Sequence, residues 1–351
     1  MIATRSRLPI AAMLTFGLLP SPLKTWWYRL KGAKISRGVR FGLGSVVLAK
    51  EPISIGASTQ VGMFTAIRGA RVSIGKRTVI RPFALIDTED ITIGDDVTIS
   101  ETALIRALVP SRRSRIVIGD RAHVFPFSVI DTTREVVIGE ESSVGYGTYI
   151  FTHTAYKSKL DGYPVEFGPV HIGKRVWIPC RVFITQSICI GDDAVIGTGA
   201  YVASDIPAGV LAVGMPAKPV RSGEQYLVHY SEGEKLSILR NILTEFCTHL
   251  EDFAQAQWQL DETGGGLVWR LTIPGREQVS EVELVALPNL ATSDRVSVIF
   301  GEVLSDTTVT WNREGKEYYS IASRQCSERL SEIGEGLRDF FKRYGIYFAR
   351  P

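Results

Sequence analysis

The strongest constraint on this chain is a period of six. From Ile172, β-branched apolar residues recur at every sixth position: Ile172, Ile178, Ile184, Ile190, Ile196 and Val202. Upstream, triplets of the same spacing run Ile35/Phe41/Val47, Ile55/Val61/Ile67, Ile74/Ile80/Ile86, Ile93/Ile99/Ile105, Ile118/Val124/Ile130 and Ile138/Val144/Ile150. That makes 24 positions in eight groups, and all but Phe41 are Ile or Val. A period of six matches neither the turn of an amphipathic helix nor the alternation of a single strand. It suits a three-sided prism, in which three short strands make one coil and the next coil stacks on it. β-Branched side chains fill such pleated surfaces with stiff rotamers. Eight coils predict a parallel β-helix roughly 38 Å long, at about 4.8 Å per coil. Gly56, Gly75, Gly94, Gly119, Gly139, Gly173 and Gly191 each follow the first member of a group. They are expected to let the chain turn a tight corner.

The interruptions carry the functional information. Within groups the steps are six and six; between groups they are 8, 7, 7, 13, 8 and 22, then 6. Every insertion therefore falls at the same corner, and the insertions line one edge of the prism. Insertions on one side of a repeat array commonly build its binding site. The edge carries Arg68–Arg71, Asp87–Asp90, the loop Arg106–Val117, Asp131–Val137 and the loop Phe151–His171. The longest loop opens with Phe151-Thr152-His153-Thr154, and Asp131 holds the same corner one coil earlier. A histidine at a loop base near a carboxylate has the makings of a general base. The plainer alternative is a polar loop residue without a role. His123 precedes Val124 near a different corner. His171 precedes Ile172 and should face outward from a strand. No paired-histidine spacing suggests a metal site, so none is expected. Arg112, Arg113 and Arg115 either meet an anionic acceptor or form a solvated loop tip.

The chain has 351 residues, enough for a second domain after the ladder ends near Val202. Net charge is only +3 but unevenly spread. Residues 1–50 hold nine Lys/Arg and no Asp/Glu, whereas residues 222–351 hold 13 basic and 20 acidic residues. A basic start favours an acidic partner such as a membrane surface. It is not a nucleic-acid signature, because no binding motif accompanies it. Leu8–Leu19 is too short to span a bilayer and lacks a convincing cleavage site after it. Trp26, Trp27 and Tyr28 follow among Lys24 and Arg29. Residues 1–34 thus read either as a peripheral membrane contact or as a cap on the first coil. Cys180, Cys189, Cys247 and Cys326 fit neither a disulfide framework nor a zinc site. The first two read as core or corner residues, and all four suit a reducing cytoplasm.

At this point the chain resembles a known family, the hexapeptide-repeat acyltransferases. The resemblance covers about Ile35–Arg221. Its most specific part is Pro169–Arg221, in and around GPVHIGKRVWIP and ICIGDDAVIGTGAYVASDIPAGVLAVGMPAKPVR. This is similar to the ending of the galactoside, maltose and xenobiotic acetyltransferases. The resemblance implies a left-handed parallel β-helix and a homotrimer with acetyl-CoA held between adjacent prisms. It implies His153 as general base, for which Asp131 at the matching corner is the expected supporting carboxylate. Trp177 would line the site. Gly197, Thr198, Gly199 and Ala200 would admit the pantetheine arm. Pro216 and Lys218 would meet the adenosine end, with Arg221 a weaker candidate. There are departures: Thr154 stands where the maltose-type enzymes have Pro, Pro179 where Gly is usual, and Phe125-Pro126-Phe127-Ser128 where an Asn is common. These put a small-sugar acceptor in doubt.

Residues 222–351 carry no ladder and read as a small α+β domain. The apolar stripe of Glu232–Phe253 predicts a helix. Strands are expected at Leu267–Ile273, Val282–Leu287, Val296–Val303, Thr307–Trp311 and Glu317–Ile321. A hairpin turn is expected at Arg313-Glu314-Gly315-Lys316, and a closing helix at Ser327–Tyr344. The expected organisation is therefore a cap segment (1–34), a β-helix domain (35–221) and an accessory domain (222–351). The leading functional reading is an acetyl-CoA-dependent O-acetyltransferase acting on a saccharide, in the cytoplasm or at the inner face of the membrane. An N-acetyltransferase of an amino sugar or antibiotic, and a non-enzymatic β-helix scaffold, are the alternatives.

Overall fold

A computed structural model describes residues 9–108, 110–154, 157–263, 266–273, 280–285, 296–300, 305–314 and 316–350. The chain divides into two units, Met1–Leu227 and Val228–Pro351.

The first unit is a parallel β-helix built from three long sheets. Successive strands of a coil go to the first, second and third faces in turn. On the third face, Leu104–Arg106, Val129–Asp131, Tyr149–Ile150 and Phe183–Ile184 are neighbours, with Ile105, Ile130, Ile150 and Ile184 in register. All 24 ladder residues point inward and are at most 6% exposed. Every long insertion leaves a third-face strand and returns to a first-face strand, so the insertions share one edge.

Two expectations need correction. First, the ladder does not end at Val202. Ile206 bridges to Ile190 and Ala212 pairs with Ile196; both are buried. A step of only four from Val202 to Ile206 hides this extra part-coil from a search for sixes. Lys218–Ser222 then runs antiparallel to Val210–Val213 and closes the second face.

Second, the corner glycines are not there to turn the chain. None of the seven has a positive φ. They are needed because the coils stack too closely for a side chain. A Cβ on Gly139 would lie 2.2 Å from the Gly173 carbonyl oxygen, and one on Gly75 would lie 2.4 Å from the Gly94 carbonyl carbon. The left-handed corner residues stand two places later: Ser58, Arg77, Asp96, Arg121, Glu141, Arg175 and Asp193. Several pair from coil to coil, as Arg77 does with Asp96 (3.0 Å) and Arg175 with Asp193 (2.7 Å).

The open end of the first coil is covered by helix α2 (Ser21–Leu30), preceded by helix α1 (Ile10–Leu14) and a turn whose Gly17 carbonyl accepts from the Gly44 N–H (2.7 Å). The inner side of α2 is polar and meets main-chain groups on all three faces. Ser21 Oγ accepts from the Phe41 N–H (2.9 Å) and Tyr28 Oη from the Val47 N–H (2.8 Å). Arg29 donates to the Ile35 carbonyl (2.7 Å). Lys24 Nζ donates to the carbonyls of Gly42 (2.6 Å) and Ser45 (3.2 Å). Lys24 is fully buried, and burial pushes its amine down to about 8.

The second unit holds a six-stranded mixed sheet of Gln257–Thr263, Gly266–Thr272, Ser280–Val285, Val296–Ile299, Tyr318–Ser320 and Gln325–Cys326. Helices α4 (Glu232–Ala254) and α6 (Glu332–Phe341) share its core through Leu243, Phe246, Trp269, Leu337 and Phe341. At the end of the first unit, Gly223–Tyr226 forms a short helix, α3. The strand expected at Thr307–Trp311 is instead part of a helix, α5 (Ser305–Glu314). Its Thr and Val residues favour strands locally, but Trp311 is 9% exposed and packs against Tyr318 from the helix. Arg313 and Glu314 therefore end a helix rather than form a hairpin, and the strands on either side run parallel. Gly315, Gly264 and Gly265 lie outside the described residues. The closing helix begins at Glu332, after an extended approach that includes Gln325–Cys326. Cys180 and Cys189 are exposed, not core.

Two stability tests follow from these contacts. Gly139→Ala forces a methyl into the next coil and should cost about 1–3 kcal/mol in urea unfolding. Lys24 binds a proton more weakly folded than unfolded, so stability should rise with pH between about 8 and the ordinary lysine value near ~10.4. In Lys24→Met, the thermal midpoint should lose that rise.

Candidate active site

The insertion edge brings His153 and Asp131 together. Asp131 ends the third-face strand Val129–Asp131. His153 comes from the next coil, just past Tyr149–Ile150, where the long insertion begins with a two-strand hairpin of His153–Thr154 against Glu166–Phe167. His153 Nδ1 lies 2.8 Å from Asp131 Oδ2. An ionised carboxylate only accepts, so Nδ1 carries the hydrogen, and in the neutral ring Nε2 then holds the lone pair. No described residue bonds to Nε2.

Asp131 is 6% exposed and densely hydrogen-bonded. The backbone N–H and hydroxyl of Thr152 donate to Oδ2, and those of Thr133 to Oδ1. Burial pushes the Asp131 carboxyl up, but the bonds from Thr152, Thr133 and His153 together outweigh it and hold it below the usual carboxylate range. The imidazole also has a stacked neighbour, the Phe167 ring at 5.9 Å, and the Arg134 guanidinium sits 4.7 Å over that ring. Outside the same coils stand Tyr149 and Phe183, stacked at 5.0 Å, with Phe151 at 6.1 Å from Tyr149.

Thr133, Thr152, Phe167 and Arg134 were not found from sequence. Thr133 and Thr152 had a signal, since each sits within two residues of a chosen residue. Phe167 and Arg134 had none, because their place depends on how the insertion folds back.

The other chosen residues lie apart from this pair. His123 is on the second face, stacked on Phe125 at 3.9 Å and 2.9 Å from Ser100 Oγ. His171 faces outward on the first face beside Glu135. Arg115 pairs with Glu135 (3.2 Å) along the edge. Arg112 and Arg113 are exposed and carry no ion pair to His153 or Asp131. Trp177 is 59% exposed on the second face, which does not border the insertion edge. Gly197–Ala200 turn the corner between second and third faces. Gly197 gives room to Val213 of its own chain, where a Cβ would come within 2.7 Å, and Gly199 has φ +71. Thr198 is exposed there and Ala200 buried. Pro216, Lys218 and Arg221 are exposed at the terminal strand. Among the described residues, no group of three His, Cys, Asp or Glu could hold a metal ion.

The chain is thus a β-helix of the hexapeptide type with a His–Asp pair on its insertion edge. Over 62 residues it is 42% identical to the galactoside O-acetyltransferase of Escherichia coli K12, which covers 18% of this chain and 30% of that protein. Over 93 residues it is 40% identical to a provisionally named acetyltransferase of Schizosaccharomyces pombe, covering 25% of this chain and 44% of that one. Among solved structures, LpxA from Acinetobacter baumannii is similar, at 16% identity and a TM-score of 0.43, over 59% of this chain and 85% of that one. No family model matches. The chain spans less than half the length of these two sequence relatives. In these stretches the chain is similar to acetyltransferases, and its six-residue ladder carries the resemblance to the hexapeptide-repeat acyltransferases.

Asp131→Asn replaces an anion held by charge-assisted bonds and should destabilise the coil by about 1–3 kcal/mol at neutral pH. Because the folded carboxyl sits below its ordinary value, this contribution is present above about 3.9 and fades as pH falls through the lower folded value. Urea midpoints of the two proteins should therefore converge in acid.

Proposed function

We propose that the chain is an acetyl-CoA-dependent O-acetyltransferase acting on a saccharide hydroxyl, in a surface polysaccharide unit or a lipid-linked precursor. The contact of His153 with Asp131, at the base of the longest insertion, carries this reading. The match to a galactoside O-acetyltransferase supports it.

In this reading Asp131 orients the imidazole and stabilises its protonated form. Nε2 takes the proton of the acceptor hydroxyl as that oxygen attacks the thioester carbonyl carbon. Backbone N–H groups stabilise the oxyanion. The C–S bond then breaks, and the imidazolium returns its proton to the departing thiolate. The products are an acetyl ester and free CoA. No acyl-enzyme forms, so the exposed thiols of Cys180 and Cys189 have no part.

Within one chain, the acceptor-site candidate Trp177 and the candidate donor-site residues Gly197, Thr198, Gly199, Ala200, Pro216, Lys218 and Arg221 lie off the insertion edge. A homotrimer resolves this, because the second face and last coils of one copy then meet the insertion edge of the next. Lys218 would pair with a phosphate of the donor. Use of acetyl-CoA and the four unpaired cysteines support a cytoplasmic location.

Thiol release from acetyl-CoA, measured with a broad saccharide panel, tests the reading. His153→Ala should lower the rate by about 10²–10⁴-fold with the fold retained. A base-labile product indicates an ester. A base-stable one would mean an amide, and so an N-acetyltransferase. If no acceptor raises thiol release above background hydrolysis, and His153→Ala leaves cellular glycans unchanged, the chain is a scaffold.

A further inference from the structure

The outer side of α2 has a property that acetyl transfer does not use. Its inner side is polar because Ser21, Lys24, Tyr28 and Arg29 are taken up by main-chain groups of the first coil. This inverts the usual arrangement, in which a surface helix turns its apolar stripe inward. Leu23, Trp26, Trp27 and Leu30, spaced i, i+3, i+4 and i+7, face away from the coil and are 44–62% exposed. Ile10, Leu14, Leu18 and Leu19 add further exposed apolar side chains just before them. Scattered single apolar residues are ordinary on a soluble surface, but a run of eight in one capping segment is not.

The charge around this run has one sign. Residues 9–50 contain no Asp or Glu. Arg29, Lys31, Lys34, Arg37 and Arg40 are exposed on the cap and the first coil. Lys31 Nζ sits 5.2 Å from the centre of the Trp27 ring. Trp26, Arg29 and Arg37 border one open groove, and no described group pairs with the Arg37 side chain. Exposed indoles beside cations match the boundary between acyl chains and anionic headgroups.

We propose that this side of α1 and α2 docks the chain on an anionic phospholipid surface. No described helix is long and apolar enough to cross a membrane, so the attachment is interfacial. A second copy could also cover an apolar face. It would, however, bring the same cations against one another across a two-fold contact. Capping the coil and docking to lipid are therefore tasks of opposite sides of one helix, not alternatives.

Flotation of the purified full-length protein with vesicles tests this. The protein should rise with vesicles of phosphatidylglycerol and phosphatidylcholine, show a blue-shifted tryptophan emission, and stay behind with phosphatidylcholine alone. High salt should release it. The double variant Trp26→Ser/Trp27→Ser should bind about tenfold less or weaker still, with an unchanged thermal midpoint because both rings are exposed. Arg37→Glu should also weaken binding to the anionic vesicles. The proposal is overturned if the natural protein fails to float at low salt, or if the double variant floats as well as it. A lower oligomer mass for the double variant in vesicle-free solution would overturn it too, by assigning the face to contact between copies.

Discussion

Everything in the first unit depends on backbone stacking directly on backbone. The ladder of Ile and Val supplies the apolar core, but the glycines set how closely coils approach. At Gly139 and Gly75 a single methyl would collide with the main chain of the next coil. A solenoid with such spacing tolerates little variation in its corners, except where the chain is free to leave. Here it leaves at one corner only, between the third and first faces.

That geometry explains why the His–Asp pair can be well ordered although His153 belongs to an insertion. Asp131 is anchored in a strand, and five donors from Thr133, Thr152 and His153 converge on it. Their combined effect keeps an almost fully buried carboxylate charged. His153 thus inherits its position from the rigid prism one coil away. The insertion needs to contribute only the approach angle and the Phe167 ring.

The ladder positions were legible because their signal is a number, repeated 24 times, and all 24 prove to be interior. The meeting of Asp131 with His153 was legible because irregularities in that number located the edge. What escaped shares one cause: it depends on contacts distant in sequence. Ile206 and Ala212 continue the coil after a shortened step. Phe167 reaches the imidazole, and Arg134 the Phe167 ring, only through the way the insertion folds back. The helix Ser305–Glu314 overrides β-branched residues because tertiary packing of Trp311 outweighs local preference. The corner glycines were correctly noticed but for the wrong reason, since sequence does not distinguish a residue that must bend from one that must not protrude.

The polar inner side of α2 has a last consequence. A stack of identical coils contains nothing that tells it where to stop, and its exposed strand edges could recruit the end of another molecule. One side chain of α2 occupies a main-chain group on each face: Arg29 at Ile35, Ser21 at Phe41 and Tyr28 at Val47, with Lys24 closing a corner. An apolar plug would have hidden the same surface and left those groups unbonded. The helix therefore closes this end of the stack by satisfying main-chain groups that an added strand would otherwise seek.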